Sequence, residues 1–160
     1  METSILIIGI VLFVVAAYDD IKTLRIPNAL VIAVAILGVL RLIVIGDLSV
    51  ALYTMGASVI LFIATFLLFW RGLVGGGDAK MITAAALLVG YHDLFPFLVL
   101  MSICGALVSL AVLVIHKYLP LWLGPRLAML VPTARLAVPY GVAIAVGGIV
   151  TLLFQPSLIG

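Results

Sequence analysis

Long apolar runs follow one another along the whole chain, and only short polar breaks separate them. The runs predict six membrane-spanning helices, at about residues 3–18, 29–45, 50–70, 79–91, 94–115 and 138–154. The fourth run is the weakest, because it is shorter than the ~17 residues that usually cross a bilayer. Residues 116–137 carry three prolines and three basic side chains, and they predict an interfacial segment after the fifth span.

Composition strengthens this interpretation. Hydrophobic residues make up 67% of the 160 residues and charged residues 9%, with a mean hydropathy of +1.51. These values exclude a soluble globular domain and predict an all-α, polytopic integral membrane protein, organised as a single domain over residues 1–160. The lipid bilayer is the expected partner, and a net charge of +2 does not suggest nucleic acid. The lone cysteine, Cys104, can form neither an internal disulfide nor a cysteine cluster for zinc.

The basic residues predict which side of the membrane each loop faces. With six crossings, one side receives Lys22, Arg25, Arg71, Lys80, Lys117, Arg126 and Arg135. The other side receives only Arg41, near the end of span two, where its long side chain can snorkel to the headgroups. The richer side is then cytoplasmic. Without the fourth crossing, Lys117, Arg126 and Arg135 would move to the other side, and each side would then hold four basic residues. The charges therefore favour six spans.

Two aspartates stand on that cytoplasmic side, each at a membrane boundary. Asp20 ends span one, and Asp78 follows three glycines at the start of span four. Residues 75–77 are expected to form a flexible loop, because glycine loses more backbone entropy on ordering than any other residue. That loop would let a peptide backbone approach Asp78. Two carboxyls that share one proton can hydrolyse a peptide bond, one drawing a proton from water while the other polarises the carbonyl. Which of the two holds the proton stays open.

Each of these residues also has a structural interpretation. Asp78 could be a helix N-cap, and Asp20 a solvated loop carboxylate. Lys80 could anchor its helix to headgroups or tune Asp78. Carboxylates at a proton or cation site would make the protein a small transporter, although such groups usually lie in mid-span.

The motifs around both aspartates resemble those of the prepilin peptidases, membrane aspartyl proteases of the GxGD type. Gly75, Gly76, Gly77 and Asp78 match the GxGD motif, and Lys80 extends the match. The family's other aspartate lies seven residues before the proline of an Ile-Pro-Asn motif. Here that motif is Ile26, Pro27 and Asn28, which selects Asp20. Residues 138–143 resemble the start of the last span in short members that serve Flp-type pili.

The resemblance implies an aspartic endopeptidase of the inner (cytoplasmic) membrane, with its site on the cytoplasmic face. Its substrate would be a type IV-like prepilin, and it would remove the leader without a metal or other cofactor and without methylating the product. A non-catalytic assembly partner of a pilus or secretion complex is the alternative. Asp19 competes with Asp20, because Tyr18-Asp19 resembles the Tyr-Asp of presenilin-like proteases. The oligomeric state is left open.

Overall fold

The computed structural model describes residues 2–128 and 138–155, and it places six α-helices there. They are α1 (Glu2–Thr23), α2 (Asn28–Ile45), α3 (Leu48–Trp70), α4 (Gly76–Val89), α5 (Leu94–Ala128) and α6 (Tyr140–Leu153). The described residues contain no strand, so the predicted all-α class is confirmed. Among them, four helices are long and apolar enough to cross a membrane: Thr3–Thr23, Asn28–Ile45, Leu48–Trp70 and Leu94–Ile115. The chain is therefore a multi-pass membrane protein.

Helix α4 lies at the centre of the bundle. It packs against α2, α3 and α6, and to a smaller extent against α5. Its buried side chains are almost all apolar, and several are alanines that let the neighbouring helices come close. At 14 residues, α4 is about 21 Å long, which is less than the ~30 Å of a bilayer core. Because protein rather than lipid surrounds it, α4 does not need the length of a lipid-facing span.

A hydrogen-bonded cluster holds the Val89 end of α4. The Arg41 guanidinium donates to the carbonyls of Leu88 and Val89 and to the Gln155 side chain. The Gln155 amide donates to the Val89 carbonyl at 2.6 Å and to Asp93 at 2.8 Å. The prediction that Arg41 snorkels to headgroups is therefore wrong, because the last carbonyls of α4 lack helical partners and Arg41 supplies them.

Helices α1 and α6 pack in antiparallel fashion with a regular spacing. A Cβ built on Gly148 would lie 2.6 Å from the Phe13 ring, and one built on Gly141 would lie 2.8 Å from Asp20. Both pairs are separated by seven residues on each helix, which is two helical turns. The two glycines thus allow α1 and α6 to approach closely along one face.

Two predicted boundaries differ from those of the structure. Helix α5 continues past residue 115, where the fifth span was predicted to end, and ends at Ala128. A proline removes one backbone hydrogen bond but does not always stop a helix, so Pro120 and Pro125 lie within it. The rest of the predicted interfacial segment, residues 129–137, lies outside the described residues.

The glycine loop is the second difference. Gly76 and Gly77 form the first turn of α4 rather than a loop, and Gly75 is its N-cap. Glycine costs little there, because the N–H groups of a first turn have no helical partner. A Cβ on Gly77 would lie within 3.8 Å of the Ile26 backbone. Gly77 is thus in ordinary contact with the segment that follows α1, whereas a Cβ on Gly76 would lie 3.1 Å from the Phe69 ring and would crowd it.

Candidate active site

Asp20 and Asp78 line one cavity of about 370 Å³ at the Gly76 end of α4. Most residues of both predicted motifs line it as well, but Pro27 and Lys80 do not. The lining comprises Asp20, Leu24, Arg25, Ile26, Asn28, Gly75, Gly76, Gly77, Asp78 and Val138. Three separate parts of the chain thus bring two carboxyls to one opening.

Asp20 lies within α1, close to its end, and its side chain is only 4% exposed. The structural alternative of a solvated loop carboxylate is therefore wrong. The Gly141 N–H, in the first turn of α6, donates to Asp20 Oδ2 at 2.6 Å. Asp19 is half-buried and does not line the cavity, so the structure brings Asp20 rather than Asp19 to the opening.

The turn after α1 carries the Ile-Pro-Asn motif into the cavity wall. Leu24 adopts a left-handed conformation, with φ of 52°, and reverses the chain. Ile26 is buried against the first turn of α4. Pro27 is the N-cap of α2, one position before the first turn where it was expected, and its carbonyl accepts from Leu30.

Asp78 stands in the first turn of α4, ahead of the predicted fourth span, and is half-buried. Its carboxyl folds back over Gly75, where any Cβ would lie 2.7 Å from Oδ2. Burial is the main reason that the pKa of Asp78 rises from 3.8 to about 6, and the neighbouring Asp20 raises it further, while a hydrogen bond from the Gly75 backbone opposes both. Asp78 is thus a carboxyl that holds its proton more firmly than a solvated aspartate does.

Lys80 and Asn28 meet at the rim of this site. Lys80 Nζ donates to Asn28 Oδ1 at 3.2 Å, and both side chains are exposed. The bond joins the first turns of α2 and α4, the two helices that carry the family motifs.

Sequence reasoning missed a second, apolar cavity of about 500 Å³ beside Asp78. Its walls come from α3, α4, α5 and α6, and Asp78, Thr65 and Tyr140 are among its polar groups. Small residues of α5 line it, including the Gly105–Ser109 and Ser102–Ala106 pairs. The signal for it was present in the sequence, because small residues at this spacing let a neighbouring helix approach.

The Asp20–Gly141 hydrogen bond was also missed. The motif at residues 138–143 was noticed only as the start of a span, and nothing in its residue types indicates a partner 121 positions earlier. Only the antiparallel packing of α1 on α6 brings the two residues together.

Comparisons with known proteins identify the family of the chain. No curated protein and no solved structure gives a significant match to the chain. The model of the type IV leader peptidase family matches residues 7–110, which is more than half of the chain and includes both aspartates. The chain therefore belongs to the type IV leader peptidase family, and it is an aspartic-type prepilin peptidase.

Proposed function

We propose that Asp20 and Asp78 are the catalytic carboxyls of this peptidase. The observation that carries the proposal is their meeting at one cavity, where burial and the second carboxyl raise the pKa of Asp78. Two carboxyls in such a site hold one proton between them near neutral pH. Gly75, Gly76, Gly77, Ile26 and Asn28 form the wall against which the scissile peptide lies. Pro27 holds the turn between Ile26 and Asn28, and Lys80 lies at the rim.

The reaction needs only water and these two groups. The ionised carboxyl takes a proton from water, and the water oxygen bonds to the peptide carbonyl carbon. The protonated carboxyl gives its proton to the carbonyl oxygen. The C–N bond of the tetrahedral intermediate then breaks. The leaving amine takes a proton from the carboxyl that received one from water, and one hydroxyl of the intermediate gives a proton to the other carboxyl. No metal or other cofactor takes part.

The apolar cavity supports a membrane-inserted substrate. Asp78 lines both cavities, so a peptide crossing from one to the other passes the dyad. We infer that a prepilin's hydrophobic helix lies against α3 and α5 and that its leader leaves through the polar opening. The resemblance of residues 138–143 to short family members favours a Flp-type prepilin. The oligomeric state does not enter this argument.

The site is proposed to face the cytoplasm from the inner membrane. Lys22, Arg25, Arg71 and Lys80 all lie at the Asp20–Asp78 end of the helices, whereas Arg41 lies at the Val89 end of α4. This distribution supports six crossings and a cytoplasmic site. Residues 1–160 then form one catalytic membrane domain.

Co-expression with a Flp-type prepilin tests the activity. Wild-type protein should remove the leader, which a gel shift and the mass of the product detect, and Asp78→Asn at equal membrane levels should not. A prepilin whose scissile bond is moved deep into its apolar helix should stay uncut. Cleavage by Asp78→Asn at the wild-type rate would favour the assembly-partner alternative, with another peptidase acting on the prepilin. Efficient cutting of soluble peptides that lack an apolar helix would count against the substrate.

Topology is tested independently by reporter fusions. Reporters placed at Gly72 and within residues 117–135 should both report the cytoplasm. If they lie on opposite sides, α4 does not complete the fourth crossing and the proposed orientation fails.

A further inference from the structure

Asp20 serves as the cap of a helix to which it does not belong. Helix α6 follows Pro139, which has no polar side chain, and no side chain of its own caps it. The first N–H groups of a helix need partners from elsewhere. The Gly141 N–H finds one in Asp20 Oδ2, at 2.6 Å.

This contact requires a glycine at position 141. A Cβ there would lie 2.8 Å from the Cβ, the Cγ and the Oδ2 of Asp20. The Cβ of Asp20 is attached directly to the α1 backbone and cannot swing aside. A side chain at this position would therefore rotate the carboxyl away or push α1 from α6.

We propose that Gly141 is a positioning residue of the reaction, holding Asp20 as the carboxylate that takes the proton from water and leaving the proton of the dyad on Asp78. The proposal rests on the proposed function. The Gly141 N–H bond to Asp20 Oδ2 stabilises the ionised form of this carboxyl, and the start of helix α6 favours an anion.

The assignment sets the direction of each proton transfer. Asp20 takes a proton as the water oxygen bonds to the carbonyl carbon, and Asp78 gives its proton to the carbonyl oxygen. When the C–N bond breaks, the amine takes the proton from Asp20, and one hydroxyl of the intermediate returns a proton to Asp78. Both carboxyls end as they began, and one water has been consumed.

Gly141→Ala, in the full chain in lipid vesicles with a prepilin substrate, tests the positioning role. A displacement of about 1 Å at a catalytic group costs ~100-fold in rate, so we expect kcat to fall ~100-fold while KM stays unchanged. Gly148→Ala is the matched control, because it crowds the same α1–α6 face at Phe13 without touching Asp20. It should lower the melting temperature but keep kcat within about fivefold of wild type at temperatures where the variant is folded. Equal kcat values for the two variants would overturn the positioning role.

A second measurement does not depend on Gly141→Ala folding. An asparagine at position 78 can still donate an N–H to the carbonyl oxygen, whereas an asparagine at position 20 cannot take a proton from water. In long single-turnover assays Asp78→Asn should retain at least ~10-fold more residual cleavage than Asp20→Asn. Equal or reversed residual rates would overturn the assignment. If both variants instead cleave at the wild-type rate, the proposed function itself fails.

Discussion

Polar groups at the two ends of α4 are partnered in opposite ways. At the Val89 end, Gln155 bonds to both Arg41 and Asp93, and it is only 1% exposed. Arg41 and Gln155 also donate to the last helix carbonyls. At the Gly76 end, Asp20 and Asp78 accept hydrogen bonds from backbone N–H groups, and they line a cavity in which no described basic side chain forms an ion pair with either carboxyl. The chain contains the basic residues that could neutralise a carboxylate there, yet Lys80 bonds to Asn28.

This difference shows where stability and chemistry reside in one short helix. Paired polar groups in an apolar surrounding hold a structure together, whereas carboxyls whose charge burial disfavours are poised for proton transfer. The Val89 end therefore fixes α4 in the bundle, and the Gly76 end leaves the dyad open to substrate. Substitutions at the Val89 end should change the stability of the protein, and those at the Gly76 end should change the rate of cleavage.

The largest expected effect concerns the two aspartates as a unit. Asp20→Asn and Asp78→Asn should each lower cleavage by ~10³-fold or more, and the double variant should be at most ~10-fold slower than the more impaired single variant. The reason is that neither carboxyl can transfer protons through the full cycle alone. Initial rates on a purified prepilin at matched protein levels measure this. If the losses of the single variants multiply in the double variant, the carboxyls do not act as a pair.

Disrupting the hydrogen bonds at the Val89 end of α4 should act mainly on stability. Arg41→Met removes the donor to the Leu88 carbonyl and one of the two donors to the Val89 carbonyl, which should cost ~2 kcal/mol. A thermal melt in detergent should show the loss, while cleavage below the new melting temperature stays within about fivefold of wild type, because Asp78 lies about 17 Å from Val89 along α4. Arg71→Met, at an exposed position after α3, is the control and should melt as wild type does. A rate loss larger than the stability loss explains would mean that the two ends are coupled.

The buried carboxyl at the Gly76 end of α4 should lower the stability of the fold in a pH-dependent way. Asp78 has a pKa of about 6 when folded and 3.8 as its reference value, so the folded protein binds the proton more tightly. The penalty for burying the charge is fully present above pH 6 and disappears as the pH falls towards 3.8. Asp78→Asn should therefore melt at a higher temperature than wild type at pH 8, and the difference should shrink at pH 5. A constant difference would show that Asp78 is not the group responsible.

The smallest effect is expected at the rim. The Lys80–Asn28 bond joins exposed side chains, and such contacts are worth at most ~1 kcal/mol. Lys80→Met removes only this bond and should change cleavage by less than about threefold. A ~10-fold loss with Lys80→Met alone would show instead that Lys80 tunes Asp78.

The fold was predictable where contact with lipid determines which residues a helix contains. Apolar runs identified all six helices, because a span in contact with lipid must be apolar along its length. The same reasoning undervalued α4, which is short because protein surrounds it. The same reasoning placed the end of α5 too early, because polar and proline residues after Ile115 indicate the end of an apolar run rather than the end of a helix.

The candidate site was predictable where spacing within a motif carries the information. The distance from Pro27 distinguished Asp20 from Asp19, and the glycines marked Asp78. What pairs with these groups was not predictable, because Gly141 and Gln155 reach their partners through contacts between helices that are far apart in sequence. Arg41 was misassigned for the same reason, as a long basic side chain near a helix end usually reaches the headgroups.

The most direct test of the central claim compares two neighbouring positions. Adjacent helical residues point ~100° apart, so only one of Asp19 and Asp20 can face Asp78 well. Leader cleavage should be measured for Asp19→Asn and Asp20→Asn at matched membrane levels with the same prepilin. The geometry predicts that Asp19→Asn keeps most of the wild-type rate and Asp20→Asn loses it. An inactive Asp19→Asn beside an active Asp20→Asn would contradict the dyad and favour the presenilin-like Tyr18-Asp19 pairing.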